Sequence, residues 1–173
     1  MFDRYKLGEE SQGRNRGEVK HMLLREIYEQ KHYAFVEGEL SWQDAVRESC
    51  KPLEADGTCD ERYAEEIVAC IEKHGPYIII TPNVAMPHST EGAEGAHKTA
   101  IGFMHTSEWV SFGDEPDQKV KTFFTLCSTD PEAHLQNMQR LVNTLLNEEA
   151  LERLKNIETP EELLEIDAIV GDE

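Results

Sequence analysis

No stretch of this 173-residue chain approaches the roughly 20 consecutive apolar residues that cross a bilayer, and its start, Met1-Phe2-Asp3-Arg4-Tyr5-Lys6, lacks the apolar core of a secretory signal. A cytosolic protein is expected. Basic residues are scarce: 17 Lys and Arg stand against 35 Asp and Glu, a net charge of −18. Residues 1 to 20 carry +1, so the acidity, −19, belongs to the rest of the chain. Nucleic acids and acidic membrane surfaces need a basic footprint, so they are excluded as partners, and a basic or neutral protein is favoured. The four cysteines, Cys50, Cys59, Cys70 and Cys127, show no CxxC spacing and fall within helical or strand patterns, which makes them buried reduced thiols. There is no glycine-rich phosphate loop, no Gly-x-Ser-x-Gly and no Cys-His arrangement of a hydrolase. Among the seven histidines no HxxxH or HxH pair occurs, so a metal site built from His74, His97, His105, His88 and His134 would be accidental. Neither a cofactor nor a metal is expected.

The length suits one domain with a sizeable core and is too short for two. Residues 1–20 are polar and contain Gly8, Gly13 and Gly17, which predicts a flexible tail ahead of a domain over 21–173. Met22, Leu23, Leu24, Ile27 and Tyr28 group on one side of a short helix, and Tyr33 to Val36 reads as a strand. Ser41 with Asp44 resembles a capping box opening a helix to about residue 55, with Trp42, Ala45, Val46 and Cys50 as its buried stripe. Tyr63, Ile67, Cys70 and Ile71 mark a second helix that ends at Gly75-Pro76. Strands are predicted at Tyr77–Thr81, Val84–Met86, Lys98–Thr106 and Val120–Cys127. The loop between His88 and His97, with Gly92 and Gly95, is mobile by composition. Helices over 131–146, 148–156 and 160–169 close the chain, the last opened by Thr159 as cap and Pro160 in the first turn. Strands alternating with helices, and a proline-broken strand region, predict an α/β fold: a mixed β-sheet with helices packed on both faces.

Two histidines carry the chemistry. His88 follows Ala85-Met86-Pro87 at the mouth of the apolar run Tyr77-Ile78-Ile79-Ile80, and Pro87 holds its stem stiff. A neutral imidazole is a competent nucleophile near pH 7, and in-line phosphoryl transfer depends chiefly on positioning and charge stabilisation. His134 follows Asp130-Pro131, an N-cap and first-turn proline, so it sits in the first turns of a helix whose free N–H groups and positive dipole end suit a phosphoryl group. Ser89 and Thr90 are further donors.

Gly75-Pro76-Tyr77, the run Ile80 to His88 and Asp130-Pro131-Glu132-Ala133-His134-Leu135 together resemble the enzyme IIA component of the sugar phosphotransferase system (PTS). The resemblance is to its fructose/mannitol superfamily and, within that, the ascorbate-type branch. Ser41 to Val46, Phe112-Gly113 and the acidic helical end agree in order, so the likeness covers residues 21 to 168. It implies a phosphotransferase in which His88 accepts phosphate from the phosphohistidine carrier HPr and passes it to a cysteine of a IIB component for uptake of a carbohydrate such as L-ascorbate. The membrane IIC component would be met only indirectly. His134 matches the family's second active-site histidine. Two departures stand out. Asn83 replaces a common glycine, and the arginine before the motif in mannitol-type members has no clear counterpart, with Lys73 and His74 as candidates. Val84, Met86 and parts of the His88 to His97 loop are candidates for an apolar docking collar. The alternative is a regulatory module whose histidine phosphorylation controls a partner; the oligomeric state is not legible.

The charge imbalance yields a kinetic expectation. Surface charge acts on encounter and is screened over about 8 to 10 Å near physiological salt. Raising salt should slow phosphate uptake from HPr through the association rate alone, leaving the single-turnover rate at saturating carrier unchanged. A salt-independent association rate would assign the excess charge to solubility.

Overall fold

The computed structural model describes residues 22–90 and 93–171; the tail expected over 1–20 lies outside them. Helix α1 (Leu23–Glu29) leads into strand β1 (Tyr33–Val36), and α2 (Trp42–Ala55) and α3 (Glu61–His74) follow as a pair. Next come two short strands, β2 (Ile79–Thr81) and β3 (Asn83–Ala85), and two long ones, β4 (Ala100–Ser111) and β5 (Lys119–Cys127). Helices α4 (Pro131–Leu145), α5 (Glu148–Lys155) and α6 (Glu162–Gly171) end the chain. The five strands form one sheet in the order β1-β4-β5-β3-β2. Pairs β1/β4 and β3/β5 are parallel, while β4/β5 and β2/β3 are antiparallel.

Alternation along the long strands builds a core on each face, because successive side chains point to opposite sides. Met104 and Phe123 enter one core with Val46, Leu53, Ile67 and Ile71 from α2 and α3. Their neighbours Phe103 and Phe124, with ring centroids 5.0 Å apart, enter the other with Leu24, Leu141, Leu154 and Ile166 from α1, α4, α5 and α6. The mixed sheet with helices on both faces is therefore as expected. All four cysteines are free and buried.

Three local expectations change. Strand β4 runs five residues past Thr106, because Val110 and Ser111 pair with Val120 and Lys119 after a register shift; the polar stretch Thr106-Ser107-Glu108 hid that continuation. Thr159 does not cap α6. Instead the Glu162 carboxylate reaches back to accept the N–H groups of Glu158 and Thr159, both at 2.8 Å, so the acid does the capping and the helix starts two residues later than Pro160. The described part of the loop after His88 is tied down: Gly95 N–H donates to Glu66 Oε1 at 2.8 Å, Asp60 N–H to Gly95 O at 2.9 Å, and His97 N–H to Thr58 O at 2.9 Å. A Cβ at Gly95 would lie 2.3 Å from Tyr63 N, so glycine permits that close approach.

Helix α1 has no side-chain cap of its own, and its first turn is served from across the chain. Asp167 of α6, only 6% exposed, accepts the N–H groups of Leu24 at 3.2 Å and Arg25 at 3.4 Å. Caps of this kind contribute about 0.5 to 2 kcal/mol. Asp167→Ala should lower the unfolding free energy by that amount, read as a lower urea midpoint at an unchanged slope, and Asp167→Asn, which keeps the acceptor oxygen, should restore most of it. An Asp167→Ala midpoint equal to wild type would show that the contact is idle.

Candidate active site

The segment Met86-Pro87-His88 leaves β3 with its backbone held on three sides. Met86 N–H donates to Ile78 O at 2.7 Å, Leu126 N–H of β5 donates to Pro87 O at 2.9 Å, and the Tyr77 hydroxyl donates to His88 O. The Tyr77 ring also stands edge-on to the His88 imidazole, centroids 5.3 Å apart at 87°. The stiff stem expected from Pro87 is thus a property of three neighbouring residues.

Asn83 explains its own place in the motif. It adopts φ +70° in the tight link between β2 and β3, a left-handed conformation that asparagine tolerates better than most residues, and its Oδ1 accepts Lys121 N–H at 2.7 Å. Asparagine keeps the turn a glycine would make and adds a tie to β5.

His88 is 8% exposed. Its Nδ1 lies 2.6 Å from the Met86 carbonyl oxygen. A carbonyl only accepts, so Nδ1 carries the proton, and in the neutral ring the lone pair resides on Nε2. Burial, the largest influence, lowers the His88 pKa; the bond to Met86 opposes this, and charge on His134 adds to the lowering. His134 is half-buried, its centroid 5.4 Å from that of His88 at a 39° tilt, and burial lowers its pKa too. The two predicted histidines are brought together although 46 residues separate them.

Both line an open recess of about 410 Å³ with Tyr63, Ser89, Thr90, Ser128 and Thr129. Tyr63 and Tyr77 have roles that their sequence pattern did not reveal: the Tyr63 hydroxyl donates to the carbonyl of Leu126, the same β5 residue whose N–H holds Pro87. The available signal was general, since a buried tyrosine needs a partner for its hydroxyl. Ser128 and Thr129 are placed by the turn from β5 into α4.

Three site expectations are corrected. The N-terminus of α4 is largely satisfied: Asp130 accepts Ala133 N–H at 2.8 Å through its side chain and His134 N–H at 3.1 Å through its carbonyl, and Pro131 has no N–H. That leaves the N–H of Glu132. Val84 and Met86 are 0% and 3% exposed, packed in the core with α4 and α5, so they form no collar. Ala93, Ala96 and Pro131 supply the apolar wall, and Leu135 is exposed just beyond. Lys73 and His74 lie in the last turn of α3, and neither lines the recess. Among the described residues no lysine or arginine does, and the one carboxylate is that of Asp130. His97 bonds to Asp60 at 2.6 Å and His105 to the Lys155 carbonyl at 3.0 Å, and no metal-binding cluster exists among the described residues.

This geometry can be set beside known proteins. Residues 28–167 match the family described as phosphoenolpyruvate-dependent sugar phosphotransferase system, EIIA 2. The chain belongs to that family. It is a phosphotransferase of the type that works through a phosphohistidine. It is 31% identical over 127 residues to the ascorbate-specific PTS system EIIA component of Shigella boydii serotype 4 (strain Sb227), covering 73% of this chain and 82% of that one. The solution structure of the mannitol-specific cryptic enzyme IIA CmtB from Escherichia coli superposes with a TM-score of 0.72 at 28% identity, covering 84% of this chain and 98% of the other. Enzyme IIA of the Escherichia coli mannitol system, in its complex with phosphorylated IIB, superposes at 0.67 with 26% identity over 79% of this chain and 94% of that one. None of the described helices is long and apolar enough to cross a membrane.

The lowered pKa of His88 sets a pH dependence. Free-base His88 should persist below the ordinary histidine value of about 6.5. Phosphate uptake should therefore hold through pH 6.5 and decline only as pH falls through the lower folded value. The sign for stability is the same: the neutral ring's contribution is complete above about pH 6.5 and is lost as pH drops through the folded pKa. An NMR titration of the imidazole should give a His88 midpoint below 6.5, moving upward in His134→Asn. A midpoint at or above 6.5 contradicts this account of the site.

Proposed function

We propose that His88 is the phosphoacceptor of this IIA protein, that it takes phosphate from HPr and gives it to a cysteine of a cognate IIB, and that His134 assists without being phosphorylated. The observation that carries this reading is the Met86 carbonyl on Nδ1, which leaves one defined nucleophilic nitrogen on a three-point stem. The lone pair of Nε2 attacks phosphorus, the N–P bond of the carrier's phosphohistidine breaks, and that imidazole leaves with the electron pair. In the second half the IIB thiolate attacks the same phosphorus and His88 leaves as the neutral ring it began as.

Among the described residues the recess has hydroxyl donors from Ser89, Thr90, Ser128 and Thr129 but no ammonium or guanidinium group. A phosphoryl group carries a charge of about −1.5 to −2, and Asp130 opposes it. The missing positive charge comes from the partner, so transfer is efficient only inside a complex, and the open recess with its small apolar wall suits a transient interface. The Escherichia coli mannitol IIA in its complex with phosphorylated IIB supports IIB as acceptor, and the names of the relatives support L-ascorbate as the transported carbohydrate. We place the protein in the cytoplasm, where carrier and acceptor meet.

With phosphoenolpyruvate, enzyme I and HPr, wild type should take up one phosphate, while His88→Ala should keep its fold and take up none. His134→Ala should still be labelled, yet transfer to IIB about a hundredfold or more slowly, as expected for loss of one donor to the phosphoryl oxygens. Labelling mapped to His134 would overturn the first assignment, and wild-type rates for His134→Ala the second.

A further inference from the structure

The active recess opens beside the carboxyl end of β5. At the other end of that strand lies a second, larger concavity of about 690 Å³, within the size range of small-molecule sites. Lys121 and Leu126 are five residues apart on an extended strand, about 17 Å, so the two recesses are separate.

The second recess brings together two half-buried lysines. Arg25, Arg47, Lys51, Arg62, Arg140 and Arg153 each pair with a carboxylate, and Lys31, Lys98 and Lys119, which have no such pair among the described residues, are exposed to solvent. Lys121 and Lys155 line this recess, both partly buried, and among the described residues neither has a carboxylate within ion-pair distance. The carboxylates that line the same cavity, Glu37 and Glu158, lie at its exposed rim, so two ammonium groups and two carboxylates share one recess without a direct ion pair. Both lysines are tied through their backbones, and Lys121 through its side chain as well. The Lys121 ammonium lies 4.8 Å from the centre of the Trp109 ring, and the Lys121 backbone N–H donates to Asn83 Oδ1. The Lys155 carbonyl accepts from His105 Nε2 at 3.0 Å. His105 is neutral near pH 7, since burial lowers its pKa, and adds no competing charge.

Around the lysines stand groups of a different kind. Glu37 and Glu158 are exposed at the rim, where they can accept from ligand hydroxyls, and the Asn156 amide can donate and accept. The Phe35 ring forms an apolar part of the wall. Two ammonium groups, acceptors for hydroxyls and an aromatic ring fit a ligand with an anionic end, several hydroxyls and a hydrocarbon face.

We propose that this recess binds a polyhydroxylated anion, either a sugar phosphate or a sugar acid. Lys121 and Lys155 hold the anionic group, Glu37, Glu158 and Asn156 take the hydroxyls, and Phe35 packs on the carbon skeleton. The site does not depend on the phosphoryl relay, and none of its residues takes part in that chemistry.

The test is an amide NMR titration of the full chain with glucose 6-phosphate, gluconate, glucose and inorganic phosphate. Saturable shifts at Thr106, Lys121 and Asn156 are expected with at least one of the two sugar anions, and the tighter one identifies the anionic group. Glucose and phosphate should each bind about tenfold or more weakly. Lys121→Ala combined with Lys155→Ala should abolish the shifts while preserving the rest of the spectrum, and His88→Ala should leave them unchanged. No saturable shift with either sugar anion, undiminished shifts in the double variant, or phosphate binding as tightly as the sugar anions would overturn the proposal. None of these results bears on His88 as phosphoacceptor, so the two readings fail separately.

Discussion

One hydrogen bond, 2.6 Å from His88 Nδ1 to the Met86 carbonyl, decides which nitrogen can react. Its geometry depends in turn on where the backbone of residues 86–88 is held. Ile78 fixes Met86, β5 fixes Pro87 through Leu126, and Tyr77 fixes His88. Tyr63 from α3 binds the carbonyl of the same Leu126. The sheet order follows the same need: β5 lies between β3 and β4, so the strand that steadies the His88 stem also delivers Ser128 and Thr129 to the recess and leads into the helix bearing His134. In the proposed relay, holding His88 in one tautomer and one place supplies the positioning on which phosphoryl transfer chiefly depends.

Charge makes the other half of the account. A recess with no lysine or arginine among the described residues, and with Asp130 at its edge, is poorly suited to keep a phosphoryl group by itself. Weak retention is an asset in a relay, where a deeply stabilised phosphohistidine would not be given up. In the proposed relay the net charge of −18 acts outside the recess, on encounter with a partner that brings cations of its own. Lys121 and Lys155, half-buried in the second recess, line neither the His88 recess nor its approach from β5.

Both histidines were legible because their signals are local: a proline before the imidazole, and an Asp-Pro cap before a helix. The two-faced sheet was legible from alternation in β4 and β5. What escaped comes from contacts between distant segments. The Tyr63 hydroxyl bonds to a residue 63 positions away, and the Asp167 cap serves a helix 143 positions earlier, so neither leaves a local pattern. Val84 and Met86 lie next to His88 in sequence, but the pleat and the packing of α4 and α5 turn them into the core. Asp130 was recognised as a cap, yet the same cap consumes N–H groups that an uncapped helix would have offered to phosphate.

The central claim, that the Met86 carbonyl dictates the reactive nitrogen, is tested most directly by the position of the phosphoryl group on the ring. The uniformly ¹⁵N-labelled protein, phosphorylated through HPr and kept alkaline, should show ³¹P–¹⁵N coupling to Nε2 of His88, with Nδ1 still protonated. Coupling to Nδ1 would mean that the bond to Met86 breaks during transfer, and would contradict the account.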